Sequence, residues 1–417
     1  MADERGVISE RTSGTDDTSG ETSGASGGLD AGAIDRIARA MVEISADVRP
    51  DETALVFYDA GAAPLARRLA RIASERGARV LYLQRDQRLE AEVAATCSPR
   101  DALRSSILND VAVQASDVVL IARCAPDADA FESVPHERMK LWNQARDPYL
   151  TDFRVNHTRW VLTFWPTEQE AAVEGMSHDE YVRLYLRACD QPWREIQAAQ
   201  GRLVELLNAA TTLELEASPG DPDPARRTRL RMDIGPMRFV NSTIDRNFPG
   251  AEVFAAPVRD TVEGQLFAAG RYAYDGRTIE DIFLRAERGR IVEARARVGE
   301  KELLQILDTD EGARYFGEVA LGTNPGLRRR VMNGLLNEKV GGSFHITPGR
   351  AYTFSDYEGQ AVVVDNGNRS QVHWDIAVPM LPTYGGGAVR LDGREIQRDG
   401  RFLDPALAVL NAGLEDP

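Results

Sequence analysis

The run Ser218-Pro-Gly-Asp-Pro-Asp-Pro224 constrains this chain more than any other stretch, because it can extend neither a helix nor a strand. Its three prolines lack the backbone N–H that both structures need, and Gly and Asp favour turns. Before the run, short apolar stretches alternate with amphipathic ones. Thr53–Tyr58 reads as a short buried strand, Val80–Leu83, Val118–Ile121 and Trp160–Phe164 as further strands, and Pro64–Arg76 and 101–115 as helices between them. A further helix starts near Asp30, with Ile34, Ile37, Ala38, Met41 and Val42 on one face, and another spans 178–210 with a break at Pro192. Strands separated by helices imply parallel pairing with right-handed crossovers. The expected fold class is therefore α/β, with a doubly wound N-terminal unit. After the run, Leu230, Met232 and Ile234 alternate and short strands follow between glycine turns. We expect a polar tail over 1–28, an N-terminal α/β domain over 29–217 and a C-terminal α+β domain over 218–417.

Net charge is −15, and of 50 basic residues only Lys140, Lys301 and Lys339 are lysine. Nucleic acids and anionic membranes both need a basic face, so neither is an expected partner. The acidic, lysine-poor balance fits either a high-salt cytosol or a GC-rich genome. No apolar run approaches the roughly 20 residues that span a bilayer, and the acidic N-terminus lacks a signal-peptide pattern, so the expected location is cytoplasmic. Cys97, Cys124 and Cys189 lack C-x-x-C spacing and read as reduced, buried thiols. Gly61 follows a strand and precedes a helix, but neither G-x-G-x-x-G nor a Walker A sequence is present, so it reads as a turn residue.

The candidate chemistry lies beyond the Pro/Gly run. Glu252 sits in Asn-Phe-Pro-Gly-Ala-Glu-Val-Phe-Ala-Ala-Pro (247–257) and Glu318 in Gly-Glu-Val-Ala-Leu-Gly-Thr-Asn-Pro (317–325). Glu338 and His345 share Asn-Glu-Lys-Val-Gly-Gly-Ser-Phe-His (337–345), and His373-Trp374-Asp375 completes the set. An unpaired carboxylate buried among apolar residues costs several kcal/mol, so Glu252 and Glu318 need cations, either metal ions or arginines. On a strand His373 and Asp375 would face the same side, as ligands or as a simple hydrogen-bonded pair. The pair Gly341-Gly342 would let backbone approach an ion or substrate, or would merely turn a hairpin before a core histidine. Carboxylates and imidazoles without cysteine suit a hydrolytic metal site, and six candidate ligands exceed what one tetrahedral ion needs.

These segments resemble the M29 family of metallo-aminopeptidases, the aminopeptidase T group, whose members carry patterns like N-x-P-G-G-E-V-F-x-A-P, G-E-V-A-L, E-K-x-G-G-x-x-H-I-A-L-G-x-x-Y and H-W-D. All four patterns occur here in that order over 247–375, and Arg277–Leu284 and Gly289–Val292 between them are similar too. The resemblance implies a metal-dependent aminopeptidase that releases N-terminal residues from short peptides. It implies two divalent ions (Zn, Co or Mn) held by Glu252, Glu318, Glu338, His345, His373 and Asp375, with Glu318 as the bridge. Glu318 or Glu338 would take the proton of the attacking water, and Tyr352 would donate to the developing oxyanion. It also implies a homodimer. The chain departs from the patterns at Ala251, Asn337 and Thr347-Pro348, none of which removes a ligand. The alternative is a ring-cleaving dioxygenase of the 2,5-dihydroxypyridine type, with one Fe(II) on His345, His373 and Asp375. A non-catalytic member of the fold is a third reading, against which six retained ligands argue.

Overall fold

The computed structural model describes residues 31–414 apart from 126, 132–133, 147–152 and 275. The polar tail expected over 1–28 lies outside the described residues. Four strands, β1 (Thr53–Asp59), β2 (Arg79–Arg85), β3 (Val118–Cys124) and β4 (Arg159–Trp165), form a parallel sheet in the order β2-β1-β3-β4. The sheet is covered on both faces. Val56 and Leu120 pack with Leu65 and Leu69 of the helix Ala63–Glu75, while Leu55, Phe57, Val119 and Ile121 pack with Val113 of the helix Ile107–Gln114. Burial on two faces is why the central strands β1 and β3 read as continuous apolar runs, whereas the edge strand β2 leaves Leu81 and Tyr82 exposed, and the doubly wound expectation holds.

Two local details refine the expected helices. The helix expected over 101–115 forms as two pieces, Pro99–Ala102 and Ile107–Gln114. Between them Ser106 donates its hydroxyl hydrogen to the carbonyl of Ala145 at 2.6 Å, the kind of side-chain bond that competes with a helix. The helix over 178–210 divides at Pro192 into His178–Cys189 and Trp193–Asn208. The first of these opens with a capping box between Ser177 and Glu180.

The Pro/Gly run is a loop between Thr212–Ala217 and Thr228–Asp233, which pair antiparallel in an eight-stranded sheet. Leu213, Leu215 and Ala217 are buried in alternation, so the β pattern starts one strand ahead of the run. The chain also crosses back: the short strand Asn247–Phe248 adds to the parallel sheet beside β4. It leads directly into β5 (Glu252–Ala255), the first ligand-bearing strand of a third sheet.

That sheet contains β5, β6 (Phe316–Gly322), β7 (Ser343–Pro348) and β8 (Ile376–Pro379), all antiparallel, with Val240–Ser242 along β5. Val253, Val319, Leu321, Phe344, Ile346, Ile376 and Val378 point from one face into the main core. By strand alternation, the other face carries the residues between them. All three cysteines are free; Cys124 and Cys189 are buried, but Cys97 is only half-buried.

Candidate metal centre

Register decides which residues meet. Glu252 lies opposite Gly322, His345 opposite Ala320, and Thr347 opposite Glu318, with a bulge between Phe316 and Glu318. Residues facing each other across neighbouring strands share a face, so Glu252, Glu318 and His345 converge. His345 Nε2 lies 3.0 Å from Glu318 Oε1 and 3.8 Å from Glu252 Oε2. All three side chains are buried. Gly322 is required here, because a Cβ on it would lie 2.4 Å from the carbonyl oxygen of Val340.

His373 and Asp375 arrive from the segment before β8, where His373 bridges to Gly349 at the end of β7. The two side chains fall on one side, as their spacing implies: His373 Nε2 lies 3.6 Å from Asp375 Oδ1 and 3.5 Å from Glu318 Oε2. His373 Nδ1 is 2.8 Å from the carbonyl of Arg350, so Nδ1 carries the donated hydrogen and Nε2 is the nitrogen left facing the acids. The arrangement makes two groups whose candidate ligand atoms lie within 4.8 Å of one another, Glu252–Glu318–His345 and Glu318–His373–Asp375. Glu318 belongs to both.

Glu338 stands at the end of the short helix Gly334–Asn337, next to a residue that sequence reasoning passed over. Lys339 is buried, with Nζ 2.8 Å from Glu338 Oε1 and paired with Glu252 Oε1. The available signal was its rarity, one lysine of three lying between two candidate ligands. Glu252 and Glu318 thus pair with lysine and histidines rather than with arginine. The glycine pair also has a different role from the expected one. A Cβ on Gly341 would meet the Asn324 carbonyl at 2.6 Å, and one on Gly342, where φ is +74°, the Gly400 carbonyl at 2.7 Å. These residues let backbone pack against backbone, not against an ion or substrate.

Tyr352 is 37% exposed as a residue, and its ring lies 5.1 Å from that of His373 and 5.5 Å from that of Phe254. Burial of the phenol, then Glu318, Asp375, Glu338 and Glu252, push its pKa well above the ordinary value.

The charge balance of the site tests whether cations belong there. Glu252, Glu318, Glu338 and Asp375 share the site with one ion-paired lysine, Lys339, among the described residues. Burial pushes the carboxyls of Glu318 and Glu338 up, toward the neutral form. Burial works against a charged His345, yet the hydrogen bond it donates to Glu318 and the surrounding acids lift it to about 9, and Asp375 and Glu318 raise His373 against the same opposition. The pocket therefore draws positive charge even onto imidazoles. Glu252 Oε2 and Glu318 Oε2 are buried without a hydrogen-bond donor, although buried carboxylate oxygens are ordinarily satisfied. Divalent ions would meet both demands and displace the imidazole protons. The residues fit a metal.

A single Fe(II) on His345, His373 and Asp375 fits less well, since the two histidines fall in different ligand groups. Comparison with known proteins agrees. Residues 31–402 match the family described as thermophilic metalloprotease (M29). Aminopeptidase 2 of Geobacillus stearothermophilus is 26% identical over 398 residues, 88% of this chain and 95% of that protein. The solved structure of wild-type AmpT from Thermus thermophilus superposes with a TM-score of 0.71 at 24% identity, covering 89% of this chain and 99% of that one. The 2,5-dihydroxypyridine dioxygenase of Pseudomonas putida KT2440 shares the fold more loosely, with a TM-score of 0.56 at 14% identity over 91% of this chain and 100% of that one. With residues 31–402 matching that family and its motifs in order, this chain belongs to the M29 family of metalloproteases.

Proposed function

We propose that this metal-dependent aminopeptidase releases N-terminal residues from short peptides with two divalent ions, Zn, Co or Mn. Glu252, Glu318 and His345 would hold one ion and Glu318, His373 and Asp375 the other, with Glu338 beside both. The observation that carries this reading is the position of Glu318, the one carboxylate common to both ligand groups. When bound, such ions polarise a scissile carbonyl and make water nucleophilic near neutral pH.

The chain's own residues supply the remainder. Glu318 has Oε1 on His345 and Oε2 turned to His373, which leaves Glu338 as the better-placed carboxylate to accept the attacking water's proton and return it to the departing amine. Tyr352, at the exposed rim, donates its phenolic hydrogen to the carbonyl oxygen as charge develops there. Lys339 keeps the carboxylates of Glu252 and Glu338 in place by pairing with one oxygen of each. A free α-amine binds among the acids and limits cleavage to the first peptide bond. The same reading takes the working form as a cytoplasmic homodimer, which sedimentation of the purified protein tests.

The decisive experiment is hydrolysis of a leucine-containing dipeptide by metal-stripped protein with Zn, Co or Mn restored, beside its N-acetylated counterpart. Metal-dependent cleavage of the free-amine peptide alone is expected. Equal cleavage of both peptides would remove the amine-recognition step, and no cleavage with any metal would overturn the assignment.

A further inference from the structure

Thr347 occupies a place that the sequence motifs leave unexplained. It lies on β7 opposite Glu318, on the ligand-bearing face, and is fully buried. Its Oγ1 is 2.5 Å from Asp375 Oδ1. An ionised carboxylate only accepts, so the hydroxyl must donate, and the direction of the bond is settled. The same Oδ1 lies 3.6 Å from His373 Nε2. Where the family pattern has a small apolar residue and then leucine after His-Ile, this chain has Thr347-Pro348.

The proline bears on the same contact. A residue before proline is held in the extended region of φ/ψ space. Pro348 therefore restricts Thr347 to the strand conformation that aims its side chain at the ligands. Pro348 also accepts a hydrogen bond at its carbonyl from the Trp374 N–H, at 3.3 Å, from within the His373–Asp375 segment. Two neighbouring residues of β7 thus hold that segment, one by backbone and one by side chain.

We propose that Thr347 is a positioning residue for metal binding, fixing the Asp375 carboxylate so that the group Glu318–His373–Asp375 is preformed, with Pro348 fixing Thr347 in turn. The proposal rests on the reading that Asp375 is a metal ligand. Partners that orient a ligand in this way typically set about 10–100-fold in metal affinity. The hydroxyl selects one carboxylate orientation before the ion arrives, so its loss weakens the ion of that group and leaves the Glu252–Glu318–His345 ion in place.

The test is calorimetric titration of Zn(II) into metal-stripped protein for the wild type and the variants Thr347→Val, Thr347→Ser and Asp375→Asn. Valine keeps the shape and removes the donor, so one of two binding events should weaken about 10–100-fold, and serine should restore it. Asp375→Asn should lose that event. If Asp375→Asn binds zinc as the wild type does, the ligand reading itself fails. If Asp375→Asn loses the event while Thr347→Val retains wild-type affinity, Asp375 is a ligand and the role of Thr347 is overturned. Equal weakening by valine and serine would trace the effect to packing and overturn it as well.

Discussion

Two buried acids, one in each half of the molecule, are handled in opposite ways. Asp59 ends β1 in the parallel sheet, and its Oδ2 accepts from the Cys124 N–H at 2.7 Å, from Arg123 Nε at 3.2 Å and from Gln87 Nε2 at 3.2 Å. Arg85 stands 3.7 Å from its other oxygen. Glu318, as deeply buried in the antiparallel sheet, has one oxygen on His345 and the other without a donor. Each keeps one oxygen without a hydrogen-bond donor, Asp59 Oδ1 and Glu318 Oε2, but Asp59 is ion-paired to two arginines, Arg85 and Arg123, whereas Glu318 faces two histidines and another acid, Asp375. Burial alone therefore does not mark a functional carboxylate. What marks it is burial beside other acids rather than against arginines, because folding would not otherwise support the cost.

The largest expected effect separates the two. Glu318→Gln should lower kcat by about a thousandfold or more, because it removes the charge common to both ligand groups. The metal-free variant should unfold at a temperature no lower than the wild type, since a buried charge lacking a full set of partners has been neutralised. A retained rate would remove Glu318 from the centre. Asp59→Asn should do the reverse. Breaking a buried, hydrogen-bonded ion pair costs about 3–5 kcal/mol, visible as a lower urea midpoint, while kcat per folded molecule and zinc stoichiometry stay at wild-type values. A change in metal affinity on altering Asp59 would erase the distinction between the halves.

How far this distinction was legible before the structure follows from range along the chain. The parallel strands were readable because burial on both faces leaves unbroken apolar runs such as Val118–Ile121. Six candidate ligands were readable because acids and histidines stood out in strand-like surroundings. Their partners were not. Lys339 reaches Glu252 across 87 residues of chain, and Thr347 reaches Asp375 across 28. Both contacts join segments distant in the chain, which no local pattern reveals. The same limit hid the return of Asn247–Phe248 to the parallel sheet, and it left Gly341-Gly342 open to an ion-binding reading when the constraint was backbone packing.

Asp245 supplies an intermediate case. Burial, then the charge of Glu358, raises its pKa from 3.8 to about 6, against a weak hydrogen bond from the Thr243 N–H at 3.3 Å. A carboxyl raised on folding contributes stability that is fully present below pH 3.8 and is lost as pH rises through 6. At about 1.4 kcal/mol per pKa unit, the loss is on the order of 2–3 kcal/mol by pH 7. Asp245→Asn keeps an acceptor for Thr243 and cannot ionise. Its stability relative to wild type should rise by about that amount between pH 4 and 7. A difference that stays flat over this window would show that Asp245 is solvated.

The smallest effect concerns the entry to β5, where the chain has Ala251 at φ +85° just before Glu252. A left-handed alanine costs about 1–2 kcal/mol relative to glycine. Against this, glycine loses about 0.4–1 kcal/mol more conformational entropy on folding, and removing the buried methyl forfeits about 0.8 kcal/mol. The three contributions nearly cancel, so Ala251→Gly should lie within about 0.5 kcal/mol of wild type by thermal unfolding, with zinc affinity unchanged. Its neighbour has no such latitude: a Cβ on Gly250 would sit 1.7 Å from the Thr243 carbonyl oxygen, so Gly250→Ala must displace the loop that sets Glu252. If Ala251→Gly instead stabilised the protein by more than about 1.5 kcal/mol, the strain at the strand entry would exceed its burial gain. This site would then resemble Glu318 rather than Asp59, a local cost maintained where the ligands are held.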